Sequence, residues 1–317
     1  MTPLKVLTWH VHGSYLWYLS HVPVQWYLPV REGRPEGYGG RSGSFAWPKN
    51  VVEVPAEEVA RGEYDVVLTQ SICNWEHDRA AVLSPHQHRE LPRVHLEHDP
   101  PRGWPNDALH PVQDAATTLV QVTPFNALMW DSGITPTRTI DHGVVVPEEL
   151  SWTGGTPRGI TVVNNLARRG RRLGADVFTR VAAQVPLDLA GMASDDFPQG
   201  IGDIPLAELH GRLPEYRFFF NPIRYTSLGL AVCEAMALGL PVLGLATTEM
   251  AAAVQNGVSG YVETDPERLV AHACRLLEDP DEAAALSAGA RARARERFGI
   301  ERFAGDWLRV LEQAAGR

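Results

Sequence analysis

Cysteine is scarce in this chain: Cys73, Cys233 and Cys274 are the only three in 317 residues, widely spaced and beside apolar neighbours. An odd, scattered set excludes a disulfide framework and predicts buried thiols in a reducing compartment. No apolar run approaches the roughly 20 residues of a membrane span. The opening MTPLKVLTWHVHG enters a strand-like run at once, without the architecture of a signal peptide, so a cytoplasmic protein is expected. Positive charge is also short. A formal net charge of −9 argues against a general nucleic-acid binder, which would carry a basic footprint. Contact with a membrane surface stays compatible with the sequence, and oligomeric state is not legible. What is present is 44% hydrophobic and 21% charged residues, the balance of a soluble globular protein, in a chain long enough for two domains.

Short β-rich runs alternate with helical segments. KVLTWHV (5–11), VQWYLPV (24–30), VVEVP (51–55), YDVVLTQ (64–70), PRVHLEH (92–98) and TTLVQVT (117–123) read as strands. Several are almost wholly apolar, as parallel strands covered on both faces should be. Helices are expected after Gly13 and over 125–132. The Gly-, Pro- and Thr-rich stretch 142–159 reads as a crossing between domains. A second set follows at ITVVNN (160–165), LDLAGM (187–192), YRFFFNP (216–222), LPVLGL (240–245) and GYVET (260–264), then a helical C-terminus from about Pro266. This is the rhythm of two doubly wound α/β domains in series, with a ligand expected between them beyond the C-terminal strand ends.

Residues 224–243, RYTSLGLAVCEAMALGLPVL, carry the first chemistry. Between Arg224 and Glu249 the only charged residue is Glu234, and a lone carboxylate among small apolar residues is costly unless something bonds to it. Thr226-Ser227-Leu228-Gly229-Leu230 follows a strand and opens a helix, where Thr or Ser can cap, glycine permits close approach, and free N–H groups attract phosphate. Glu234 on that helix is placed to accept both hydroxyls of a ribose; the alternative is a solvated surface carboxylate. A second constellation, VVNNLARRGRRLGADVF (162–178), sets Arg168, Arg169, Arg171 and Arg172 around Gly170 between a strand and a helix. Guanidinium groups bond phosphate oxygens bidentately, so the loop points to an anion rather than to a merely solvated basic face. His10 and His12 alternate after the first strand, but no further ligands stand at convincing spacing, and no metal is expected. VHLEHDPPRG (94–103) places His98 and Asp99 at a strand end, either as a turn-forming pair or as a hydrogen-bonding site. The Gly-rich loop RPEGYGGRSGSFAWP (34–48) contains Tyr38, Arg41 and Trp47, and ARARERF (292–298) reads as a solvated helix face.

Together the pieces Glu234-Ala235-Met236-Ala237, Gly239-Leu240-Pro241-Val242 and Asn256-Gly257-Val258-Ser259-Gly260 resemble the donor-binding domain of retaining GT-B glycosyltransferases, glycosyltransferase family 4. The resemblance covers about 160–300 well and the N-terminal half loosely. It implies a GT-B fold of two Rossmann-like doubly wound domains facing a central cleft. An acceptor-side domain would span 1–146, a nucleotide-sugar domain 147–300, and a helix over 301–317 would pack back on the first.

By the same resemblance Glu234 binds the ribose, and Ser227, Leu228, Gly229 and Leu230 supply backbone to the donor phosphates. Arg169 and Arg172 grip the diphosphate beside Asn165, and Gly13 approaches the donor. His98 bonds the donor sugar, with Asp99 to orient it, and Tyr38, Arg41 and Trp47 line the acceptor side. One departure stands out: eight positions before Glu234, where the family carries a glutamate facing the sugar, this chain has Thr226. The expected activity is transfer of a sugar from a nucleotide-diphosphate donor to an unidentified acceptor, without cofactor or metal. The alternatives are a nucleotide-sugar epimerase or hydrolase using His98, Asp99 and Glu97, and a noncatalytic sugar-nucleotide-binding subunit.

Overall fold

The computed structural model describes residues 2–317 and divides into two units, one running to Gly143 and including Ile300–Arg317, the other Val144–Gly299. The first unit holds seven strands: β1 (Lys5–Thr8), β2 (Gln25–Val30), β3 (Val51–Pro55), β4 (Val66–Thr69), β5 (Arg93–Glu97), β6 (Thr117–Gln121) and β7 (Thr137–Thr139). They pair in parallel in the order β3-β2-β1-β4-β5-β6-β7. The second holds β8 (Thr156–Val162), β9 (Leu187–Ala190), β10 (Tyr216–Asn221), β11 (Val242–Leu245) and β12 (Gly260–Glu263), parallel in the order β12-β11-β10-β8-β9. Both orders are doubly wound, each reversing once.

The helices of the first unit are α1 (Gly13–Leu19), α2 (Arg79–Val82), α3 (Pro85–Glu90) and α4 (Pro124–Met129). In the second lie α5 (Leu166–Leu173), α6 (Ala175–Ala182), α7 (Leu206–Arg212), α8 (Leu230–Leu238), α9 (Met250–Ala253), α10 (Pro266–Glu278) and α11 (Pro280–Phe298). The last helix, α12 (Ile300–Ala314), returns to the first unit. There Trp307 donates from Nε1 to the Tyr15 hydroxyl (3.2 Å), and Arg302 donates to the carbonyls of Asp141 (3.0 Å) and His142 (2.6 Å). Burial of Phe303 and Trp307 drives this docking, since large aromatics remove the most apolar area from water.

The apolar runs explain the sheets. Val66–Thr69 and Val242–Leu245 are buried at every position, as strands with helices on both faces must be. Two features depart from the sequence expectation. Strand β8 starts at Thr156, inside the stretch taken as a crossing, because Gly159 lets Phe218 of β10 and Leu187 of β9 pack directly over its backbone. The thiols differ from one another: Cys233 is buried, Cys274 intermediate, and Cys73 exposed on the surface after β4. Among the described residues no helix is long and apolar enough to cross a membrane.

Candidate functional site

In the second unit the strand order reverses between β8 and β10, and the loops leaving their C-terminal ends diverge there. After β8, Asn165 takes a left-handed turn (φ 54°), bonded through its N–H to Met192 O (2.7 Å), and α5 begins. Gly170 (φ 55°, ψ −139°) breaks α5 internally, separating Arg168 and Arg169 from Arg171 and Arg172. At Gly174 (φ 80°) a β-carbon would lie 1.9 Å from Pro222 O, so only glycine lets the arginine loop meet the loop after β10. The N–H groups of Arg224 and Tyr225 both bond to Arg172 O at 3.1 Å, joining the two loops.

The four arginines are thereby sorted. Asp176 takes Arg171 at 2.6 Å and Arg224 at 2.5 and 2.7 Å, and Arg224 holds the Asp176 carboxyl below its usual range. Arg171 is therefore a brace. Arg172 makes no ion pair among the described residues, and Arg169 lies half-buried on the other side of the Gly170 break.

The loop Pro222–Gly229 leads into α8, whose N-cap is Gly229 with no side-chain cap bond. Capping by Thr226 or Ser227 is therefore excluded: both lie upstream of the helix start, Thr226 half-buried and Ser227 buried. Thr248, in a left-handed turn after β11, donates to Ser227 O (3.4 Å), and Thr247 donates to Ile223 O (3.1 Å). Leu228 is buried, so within this loop it is Gly229 and Leu230 that present backbone at the helix start, where first-turn amides lack intrahelical acceptors. Glu234 is the fifth residue of α8 and only 3% exposed, between buried Cys233 and Ala235. The solvated-carboxylate alternative is excluded. Its Oε2 lies 3.6 Å from Nε2 of His210 on α7, itself 3% exposed.

In the first unit, β1 ends before His10 and Gly13 opens α1. A β-carbon on Gly13 would meet Phe45 at 3.0 Å and His10 Nε2 at 3.2 Å. His98 is half-buried, but its Nε2 is enclosed without a hydrogen-bond partner, its ring edge-on to His12 (4.4 Å) and Tyr15 (4.8 Å). Burial, reinforced by His12 and His142, pushes its pKa well below the ordinary value, so the imidazole is neutral near pH 7. Asp99 does not orient it, because its carboxylate pairs with Arg102. Tyr38 is a second correction: it is 3% exposed, donates to Asp78 (2.9 Å) and carries Arg31 over its ring, which removes it from the acceptor surface. Arg41 and Trp47 do border an open hollow of about 490 Å³ with Arg34, Ser42, Phe45 and Glu53.

His95, Glu97 and His110 bring ligand atoms within 4.8 Å of one another. The hydrogen bonds assign them another role. Val112 donates its N–H to Nδ1 of His110 (3.1 Å), so the ring proton sits on Nε2 and points at Glu97 Oε2 (3.1 Å). A cation here would have to displace that proton and leave Nδ1 without one, which makes His110 a donor to Glu97 and a poor ligand.

Two further pairings escaped sequence reasoning. His210 carries no motif, only a polar position in LAELHGRLPE. Arg297, expected on a solvated face, is largely buried against buried Glu249, and Ala294 and Phe298 of ARARERF are buried with it.

Residues 199–279 match the family described as "Glycosyl transferases group 1". A D-inositol 3-phosphate glycosyltransferase of Thermobispora bispora is 34% identical over 141 residues, 42% of this chain and 32% of that protein. D-inositol 3-phosphate glycosyltransferase 1 of Catenulispora acidiphila is 30% identical over 292 residues, 73% of this chain and 68% of that protein. The chain belongs to this glycosyltransferase family. It spans about a third of the first relative and about two thirds of the second. Among solved structures, Anabaena HepE in complex with UDP aligns with a TM-score of 0.69 at 13% identity, covering 99% of this chain and 100% of that one, a likeness of fold. The two parallel-sheet units are those of the GT-B glycosyltransferase fold. The family match spans α7, α8 and Glu234, but begins after Arg172 and Asn165.

Proposed function

We propose that the protein transfers a sugar, with retention at the anomeric carbon, from a nucleotide-diphosphate donor to an acceptor hydroxyl. The observation that carries this reading is Glu234, a buried carboxylate one turn into a helix that starts at the sheet reversal, beside the arginine loop. A ribose diol satisfies such a carboxylate with two donors, and the helix start and arginines suit a diphosphate. UDP is the first nucleotide to test because HepE was solved with it, and an inositol phosphate the first acceptor because both curated relatives are named for one. In the reaction the bond from the anomeric carbon to the diphosphate oxygen breaks. The acceptor oxygen bonds on the same face, and its proton passes to the departing diphosphate. Arg169, Arg172 and the amides at Gly229 and Leu230 stabilise the charge that develops there. Neutral His98 bonds a donor-sugar hydroxyl, and neither metal nor cofactor takes part.

Thr226, in place of an acidic residue, favours one rival: a subunit that binds the nucleotide sugar without transfer. Incubation with UDP-sugars, with and without an inositol phosphate, tests both by following nucleotide release and product stereochemistry. Acceptor-accelerated release with a retained α-linkage supports the proposal. Tight binding without turnover establishes the subunit, and an isomerised sugar nucleotide establishes an epimerase.

A further inference from the structure

His210 is buried on α7, its Nε2 has no hydrogen-bond partner among the described residues, and that nitrogen lies 3.6 Å from Glu234 Oε2. Two polar side chains, each 3% exposed and borne by different helices, thus face one another inside the second unit. A buried ring nitrogen without a partner is kept at a cost, and among the described residues the one carboxylate at ion-pair distance from it is the one assigned to the ribose. The separation is slightly beyond hydrogen-bond range, so a small movement of either side chain closes the bond.

We infer that His210 is a positioning residue for Glu234: its Nε2–H holds one carboxylate oxygen, fixing the rotamer in which the carboxylate meets the 2′- and 3′-hydroxyls of the nucleotide. The inference rests on the nucleotide reading of Glu234. A ribose donates two hydrogen bonds, and a carboxylate accepts about four. An oriented donor behind it therefore leaves acceptor capacity for the ligand and favours one carboxylate orientation within its buried setting. The bond to His210 tightens when the diol is bound, because the carboxylate is then held from both sides.

Titration calorimetry on the full chain separates this role from a structural one. The probes are UDP and 2′,3′-dideoxy-UDP; the variants are His210→Leu, His210→Gln, Glu234→Gln and the double change His210→Leu/Glu234→Gln. His210→Leu should weaken UDP by on the order of tenfold, the scale of one hydrogen bond to a charged group. The dideoxy compound, lacking the diol, should change less than about twofold. His210→Gln, which keeps a donor amide, should restore most of the UDP affinity, and His210→Leu should cost nothing further in the Glu234→Gln background. Equal loss for both ligands, or no loss for either, overturns the inference. If Glu234→Gln discriminates between the ligands while His210→Leu does not, the ribose reading stands and His210 alone falls. If Glu234→Gln binds UDP like the wild type, or the wild type binds no UDP, the ribose reading falls and the inference with it.

Discussion

The two units share one architecture and differ in what they bury. The first holds ten of the chain's twelve histidines and eight of its nine tryptophans, and encloses neutral imidazoles at His95 and His98. The second buries an acid in an apolar helix and gathers arginines on the loop beside it. Parallel sheets thus carry two side-chain settings, one of packed aromatic rings and neutral imidazoles, one of a buried acid beside an arginine-rich segment. The difference lies in the side chains that each unit sets on a shared frame, such as His95 on β5 and Glu234 on α8, not in the frame itself.

Acid should separate the units most. Burial pushes His95 down to about 3 and His98 well below its ordinary value. Between about pH 6.5 and 3 the unfolded chain therefore binds protons that the folded chain does not, so stability is fully present above pH 6.5 and lost as pH falls. At roughly 1.4 kcal/mol per pH unit for each histidine, His95 alone accounts for about 5 kcal/mol over that window. Hydrogen exchange at pH 7 and pH 4.5 should show the first unit opening first; simultaneous opening of both units would break the comparison.

The next effect belongs to the second unit. Glu234→Ala should cost about 1.5–3 kcal/mol of UDP affinity, the value of a charged hydrogen-bond acceptor, without altering circular dichroism. Unchanged affinity by calorimetry would return α8 to a purely structural role.

Smaller again is the division of labour among the arginines. Replacing Arg169 and Arg172 together by Ala should weaken UDP about tenfold and uridine hardly at all, whereas Arg171→Ala should leave both unchanged, because Asp176 already holds that guanidinium. Equal losses for UDP and uridine would make the loop structural.

Thr226→Val should be the mildest. It lies upstream of the α8 N-cap, so its melting temperature should stay near wild type. If Thr226 meets the donor sugar in place of the family's glutamate, losing its hydroxyl should lower kcat/KM about three- to tenfold at unchanged UDP affinity. Normal transfer kinetics would remove Thr226 from the site.

Much of this contrast was readable beforehand, for local reasons. Continuous apolar runs marked the strands, and Glu234 stood out because nothing nearby in the chain shares its charge. What escaped depends on distant partners. Tyr38 looked like a loop aromatic until Asp78, forty positions on, took its hydroxyl. Asp99 looked like a partner for His98 until Arg102 claimed it. Strand β8 begins inside a Gly- and Pro-rich stretch because Phe218 and Leu187 pack over Gly159, and no local propensity reports that.

By itself the sequence determined the alternation of strand and helix, the doubly wound class, and the positions of an acid on a helix and of an arginine segment after a strand. These follow from periodicity and from the cost of burying polar groups, both readable along the chain. Only the tertiary structure decided which groups are engaged. It set Arg171 on Asp176, drew Arg297 in against Glu249, buried Glu234 and brought His210 opposite it. The reason is physical: hydrogen bonds and ion pairs act over a few ångströms, and His210 and Glu234 come within that range only when α7 and α8 pack together.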